Sequence, residues 1–248
     1  VAKTSGLSDN FYIGGYNISG DVGSLGTISG GNAPLEVTAI DKSAFERIGG
    51  QRNGTIEFST FYNTAALQEH VALKGLLTTD RTLTYARGTT IGDPAACMTA
   101  KQINYDFTRA ADGSLTTAVQ AQSNGYGLEW GIQLTAGVRT DTTATSPATG
   151  VDTTASASFG IQAYLQVFAF SGTSVTVTVQ DSADNASFAN ISGLSAFTAV
   201  TAAPGEERIA STNTTTVRRY LRVITSGTFS NAAFSVVVVK NEIAGQVF

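Results

Sequence analysis

Asn53-Gly54-Thr55-Ile56-Glu57-Phe58-Ser59-Thr60-Phe61-Tyr62 opens on a tight-turn dipeptide and then alternates apolar and polar side chains. A second stretch repeats the pattern: Asp112-Gly113, then Ser114-Leu115-Thr116-Thr117-Ala118-Val119-Gln120-Ala121-Gln122. Asn-Gly and Asp-Gly favour the positive φ angles of hairpin turns. The period of two that follows gives each strand one apolar and one polar face. The second polar face is Ser, Thr and Gln, without charge. Such a wall touches water or a passing polymer without gripping it, and the two stretches predict an all-β protein.

The rest of the composition agrees. The chain has 248 residues, enough for one large or two ordinary domains. Charged residues make up only 14%, below the usual quarter, and 26 residues are Gly. Residues 1–140 hold 12 acids and 10 bases, and residues 141–248 hold 7 acids and 5 bases. Neither part is a basic nucleic-acid grip. The densest basic cluster, Arg218, Arg219 and Arg222, alternates along an expected strand and reads as a solvated face or a set of ion pairs. Cys97 is the single cysteine, so no intrachain disulfide forms, and it reads as a small buried apolar residue. No signal peptide is read at the N-terminus, and no apolar run approaches membrane-spanning length.

Along the chain, residues 1–33 are Gly-rich and read as an arm or long loop, since they lack a phosphate-binding glycine motif. A strand is expected at 34–40. Ser43-Ala44-Phe45-Glu46 has capping-box spacing, but Gly49-Gly50 stops any helix there. One helix is expected at 63–77, capped by Asn63 or Thr64, with Leu67, Val71, Leu73, Leu76 and Leu77 as its apolar stripe. Strands follow near 82–91, 98–107, 114–122 and 128–134. The Thr/Ala/Ser-rich segment 141–157 reads as a linker. After it, about six strands at sandwich-like spacing are expected: 159–170, 175–180, 188–191, 197–201, 216–224 and 234–240.

Chemistry is scarce. His70, the only histidine, falls inside the expected helix, beside Gln68 and Glu69, which read as helix-surface residues. One His and one Cys exclude a zinc set in practice. Glu36, Glu57, Asp80, Asp106, Asp112 and Glu129 are carboxylates that nothing in the sequence pairs for glycosidase work. Asp181-Ser182-Ala183-Asp184-Asn185 offers oxygens to Ca²⁺, but Asp and Asn also dominate ordinary turns. Trp130, the only tryptophan, reads as a core or interface anchor. No catalytic, cofactor or metal site is expected, and the chain is not read as an enzyme.

The first 140 residues resemble the major tail tube proteins of long-tailed, non-contractile bacteriophages, especially those of actinobacterial hosts. The residues that carry the resemblance begin with Gly6-Leu7-Ser8-Asp9-Asn10-Phe11-Tyr12 and Ile40-Asp41-Lys42-Ser43-Ala44-Phe45-Glu46-Arg47. Gly54-Thr55-Ile56-Glu57-Phe58, the expected helix with Leu76-Leu77-Thr78-Thr79-Asp80-Arg81, and Asp112-Gly113-Ser114-Leu115 follow in the same order. The later part is similar to jelly-roll or galactose-binding-like β-sandwiches, through Val177-Thr178-Val179-Gln180-Asp181-Ser182-Ala183-Asp184-Asn185 and Arg218-Arg219-Tyr220-Leu221-Arg222-Val223.

The resemblance implies a tail tube domain at 1–140, a linker at 141–157 and an exterior β-sandwich at 158–248. It implies a structural virion protein, assembled in the host cytoplasm, whose hexameric rings stack into a conduit for DNA. The implied partners are copies of itself, the tape measure protein, the tail terminator, distal tail and baseplate proteins, and DNA in transient contact. Host-surface glycans are a further expected partner of the outer domain. Glu57, Ser59, Thr116, Gln120 and Gln122 become expected lumen residues, and Gly20, Asp21, Gly23, Leu25 and Gly30 an expected inter-ring arm. Two other readings stand beside this one: a carbohydrate-binding or adhesive surface protein, and a capsid decoration protein.

Overall fold

The computed structural model describes residues 5–76 and 78–244. The N-terminal half contains β1 (Asn10–Ile13), β2 (Tyr16–Asn17), β3 (Val22–Glu36), β4 (Arg47–Phe61) and α1 (Glu69–Leu73). It continues through β5 (Arg81–Ala86), β6 (Pro94–Gln102), β7 (Asp106–Arg109), β8 (Leu115–Ser123) and β9 (Glu129–Gln133). The C-terminal half contains β10 (Arg139–Asp141), β11 (Val151–Asp152), β12 (Ile161–Ser182), β13 (Ala189–Asn190), β14 (Gly205–Ala210) and β15 (Tyr220–Lys240). All strand pairings are antiparallel, and one hydrogen-bonded path runs β13-β12-β15-β9-β6-β5-β1-β2. The fold is all-β, and no helix among the described residues is long and apolar enough to cross a membrane.

In the C-terminal half, four of the expected strands fuse into two. β12 and β15 pair over almost their whole length, with register shifts between Val167 and Ser174 that bend the pair. Both arms of the bend contribute to one core: Ile161, Leu165 and Val167 from one, Val175, Val177 and Val179 from the other, with Phe234, Val236 and Val238 opposite. The alternate residues Tyr164, Val237 and Val239 face the other way and pack with Tyr12, Ala95 and Cys97 of the N-terminal half. This arm of the pair is therefore buried on both faces. That explains why its sequence is an apolar run without alternation. Of the two short strands expected between them, 188–191 shrinks to β13 and 197–201 to a single bridge, Val175 to Val200.

The segment 141–157 does not behave as a loose linker. It is pinned along β15: Thr140 pairs Ala233, Thr145 exchanges backbone bonds with Thr225, and Val151 pairs Leu221. Ala157 then bridges Val217. Small Thr, Ala and Ser residues let a strand-like strap lie close to its neighbour, so low complexity here reflects close approach.

The expected helix is also corrected. Only Glu69–Leu73 is helical. Leu67 and Leu76 take positive φ (63° and 40°), which ends the helix on either side. Leu67, Val71 and Leu76 are exposed, Leu73 is buried, and Leu77 lies outside the described residues. Asn63 does not cap α1. Its side chain caps Ala65 instead, while its carbonyl accepts from His70 N–H. Glu69 is fully buried and accepts from Thr60 Oγ1 (3.1 Å) and Asn63 N–H (3.3 Å). Polar anchoring at Glu69 and apolar packing of Ala72 and Leu73 together hold this turn, in place of the expected long stripe.

Candidate functional site

The two turn-led stretches become neighbouring strands. β4 pairs β8 with Glu57 opposite Gln120, Thr55 opposite Gln122, Ser59 opposite Ala118 and Phe61 opposite Thr116. β3 adds to the other edge of β4, with Ser24 opposite Ser59 and Thr27 opposite Glu57, and β7 adds to β8, with Thr108 opposite Thr116. The result is a four-stranded unit in the order β3-β4-β8-β7. Directly opposed residues share a face, so Glu57, Ser59, Thr116, Gln120 and Gln122 all lie on one side. Gln120 Nε2 donates to Glu57 Oε1 at 2.9 Å, and the Ser24 and Ser59 hydroxyls meet at 2.8 Å. Ile56, Phe58, Val119 and Ala121 occupy the opposite face, buried in the N-terminal core.

This polar face is poor in cations: it carries the carboxylates of Glu57 and Asp106 beside Lys101. Glu57 is bonded to Gln120, and Asp106, opposite Ala118, accepts from Asn104 Nδ2 at 2.5 Å. Lys101, beside Gln122, is paired with Asp80 at 2.7 Å. Lys101 also holds the Asp80 carboxyl below the usual range. Among the described residues, β3 has no strand partner on its outer edge, nor does β7.

The expected arm residues are placed differently. Asp21 is buried, and its carboxylate accepts from Asn63 Nδ2 (2.7 Å) and Glu69 N–H (3.0 Å). Gly20 lies in the turn before it. Gly23, Leu25 and Gly30 belong to β3: Leu25 and Gly30 are held in register by β4, Gly23 falls at a register shift, and Leu25 packs on the N-terminal core. The projecting element is instead the far end of the β3–β4 hairpin. β8 accompanies β4 only from Thr55 onward, so Arg47–Asn53 pair with β3 alone. Leu35, Val37, Ile40, Phe45 and Ile48 are exposed around its tip.

Asn53-Gly54 is therefore not a hairpin turn. It sits inside β4, opposite Gly31 and Gly30. Gly54 is required by packing: a Cβ there would lie 2.7 Å from the Leu128 backbone nitrogen. Asp112-Gly113 does form the expected turn. Gly113 has φ +94°, and Asp112 Oδ1 accepts from Ser114 N–H at 2.9 Å.

The base of the hairpin meets the C-terminal half at Glu129, which is buried. Arg208 Nη2 approaches both its oxygens at 3.3 Å, Arg52 Nη1 lies 3.8 Å from Oε1, and the Tyr164 hydroxyl donates to Oε2. The Arg208 guanidinium also sits 3.7 Å from the centre of the Tyr126 ring. A second buried seam runs beside it. Gln166 accepts from Gly15 N–H (2.6 Å) and donates to Thr82 O (2.8 Å), and Glu206 accepts from Thr82 N–H and pairs Arg81 at 3.7 Å. Burial pushes the Glu206 carboxyl above its ordinary range. No single sequence motif marks these residues, because they come from five different strands.

Several ionisable groups outside these seams make their contacts within the fold. His70 Nδ1 and the Tyr105 hydroxyl share a 2.9 Å hydrogen bond within a cluster that includes Tyr62 and Phe107. Asp181 holds Arg218 (Nε to Oδ1, 2.8 Å), and Asp184 caps Ala186 and Ser187 N–H, so the candidate calcium loop spends its carboxylates internally. Arg219 pairs Asp152 at 2.6 Å, and Arg222 lies over Phe188 and bonds Gln180, as expected of a surface network. Cys97 is buried, with its thiol pushed up to about 12. No cluster of His, Cys, Asp and Glu among the described residues could hold a metal.

No protein-family model matches the chain, and no curated protein matches it. Among solved structures, it is similar to a chain from the tail of an empty gene transfer agent particle with C6 symmetry. That match has a TM-score of 0.37 and 14% identity over 44% of this chain and 81% of that one. A chain from the virion of a native gene transfer agent gives a TM-score of 0.42 and 12% identity over 52% and 98%. The phage SPP1 Dit protein, from a hub adsorption apparatus, gives 0.35 and 8% identity over 94% and 99%.

Proposed function

We propose that this chain is a structural subunit of a long, non-contractile phage tail, forming stacked hexameric rings through which DNA passes. The observation that carries the reading is the β3-β4-β8-β7 unit, with its cation-poor polar face and its two edges that lack a strand partner among the described residues. Free edges are a hazard in a monomer and an asset in an assembly, since each can pair with another copy. A head-to-tail contact that closes by rotation gives a ring, and one that does not close gives a filament. The polar face suits a lumen. Hydroxyls and amides wet the wall, and the scarcity of Lys and Arg avoids the phosphate contacts that would hold DNA in place.

In this reading Glu57, Ser59, Thr116, Gln120 and Gln122 line the conduit, and the β3–β4 hairpin replaces the Gly-rich arm as the inter-subunit element. Residues 1–140 supply the tube and residues 158–248 sit outside, with 141–157 as a strap. The tape measure protein, tail terminator and distal tail or baseplate proteins are its partners in the tail. No catalytic role is assigned. Electron microscopy of the purified protein at high concentration tests the proposal. Stacked rings with a central hole support it, and a monomer that persists under every assembly condition overturns it. Labelling of the capsid instead of the tail by antibody would favour a decoration protein.

A further inference from the structure

We propose that the cleft between the β3–β4 hairpin and the β8–β9 loop binds a neutral oligosaccharide. The proposal does not depend on the tail reading. The cleft encloses about 930 Å³, at the upper end of the range for ligand pockets. The only tryptophan, Trp130, lines it, and so does Tyr126. Trp130 is 53% exposed and offers its ring to a ligand, while Tyr126, 39% exposed, keeps one face against Arg208 and leaves the rest open. Aromatic side chains that keep an apolar body in reach of solvent are suited to the C–H faces of a sugar ring.

The polar lining selects the ligand class. Asn32 and Gln51 bring exposed amides, which both donate and accept, as sugar hydroxyls do. Gly49 to Arg52 add backbone: β4 here pairs only with β3, so its second edge opens on the cleft. The charged groups in the lining are spoken for. Glu129 is held by Arg208 and Arg52, leaving no open carboxylate for a metal. An aromatic, amide-bearing cleft whose carboxylate is already paired fits a polyhydroxylated chain better than a metal cation or an apolar ligand.

Because Trp130 is the single tryptophan, its fluorescence reports on this cleft alone. The full chain is titrated with cellotetraose, maltotetraose and the tetramer of N-acetylglucosamine, up to about 10 mM, which fills a site of ~1 mM affinity almost completely. The expected result is a saturable shift in emission with at least one of them. Calorimetry then shows affinity reduced at least tenfold in Trp130→Ala and at least threefold in Asn32→Ala and Gln51→Ala. The latter two residues are exposed, so folding is spared and the thermal melt stays at the parent value. No response to any tetrasaccharide overturns the proposal, as does binding that survives all three substitutions. A Trp130 shift that follows protein concentration alone, without sugar, also overturns it and makes the cleft a seam between copies.

Discussion

Two long antiparallel hairpins dominate this molecule, and they are built in opposite ways. β12 and β15 are covered on both faces along one arm, and their inward residues fill the largest apolar core. β3 has no buried residue, and β4 is buried only on alternate positions from Gly54 to Thr60. A two-stranded ribbon is marginal by itself in water. The bare hairpin is held at its root, where Arg52 reaches Glu129 and Gly54 lies against Leu128. One hairpin stabilises the monomer. The other is displayed by it, with unpaired backbone and apolar side chains left for a further surface.

Phenylalanines at the two hairpins give the widest separation. Phe234 is 1% exposed in the β12–β15 core, whereas Phe45 is 66% exposed near the β3–β4 tip. Phe234→Ala removes a packed ring and leaves a cavity, at a cost of about 3–5 kcal/mol. Phe45→Ala changes stability by no more than about 0.5 kcal/mol. Urea unfolding of both variants measures the gap. Equal costs would mean that the displayed hairpin is packed in solution and the comparison is mistaken.

The next effect lies at the root of the bare hairpin. Gly54→Ala drives a Cβ to 2.7 Å from the Leu128 backbone, and overpacking of this kind costs about 1–3 kcal/mol. Gly113 meets nothing within 4 Å and needs only its positive φ, so Gly113→Asn is tolerated and Gly54→Asn is not. Thermal melts of the two Asn variants decide this, and similar losses would return Asn53-Gly54 to a turn. The pair shows how far the sequence could be read. Alternation correctly placed Ile56 and Phe58 inside and Glu57 and Ser59 outside, because burial on one face dictates a period of two. The dipeptide was legible only where the chain turns locally. At Gly54 the cause is Leu128, more than seventy residues away, and local propensity carries no trace of it. The burial of Asp21, Glu69 and Glu129 was not legible either, because the tertiary fold brings their donors to them: Asn63 to Asp21, Thr60 to Glu69 and Arg208 to Glu129.

A smaller effect sharpens the contrast from the buried side. Burial raises the Glu206 carboxyl above its ordinary range, against the opposing pull of Thr82 N–H and Arg81. The folded state therefore holds this proton more tightly than the unfolded chain. The contribution favours folding below the unfolded value and is lost as pH rises through the folded one. At neutral pH Glu206→Gln removes the cost of burying the charge and keeps an acceptor for Thr82. It is expected to raise stability by about 1 kcal/mol or less, or ~2–4 °C in Tm. The two melting curves should converge as the pH falls below about 4. A variant that melts lower than the parent at pH 7 would show that the Arg81 pairing outweighs desolvation.

The smallest effect on stability carries the most weight for assembly. Ile40 and Phe45 stand exposed at the hairpin tip, and Ile40→Ser with Phe45→Ser should leave the Tm within about 2 °C of the parent. If the hairpin is displayed for another copy, the same double variant loses association at concentrations where the parent sediments as rings or filaments. The shift should be at least tenfold in concentration, since two buried apolar side chains are together worth about 3 kcal/mol or more at a contact. Sedimentation velocity on both proteins across a dilution series reads it directly. Unchanged assembly with an unchanged Tm would leave the tip without a role in either state. Contact with a neighbouring copy would then fall to the free edges of β3 and β7, where backbone groups have no strand partner among the described residues.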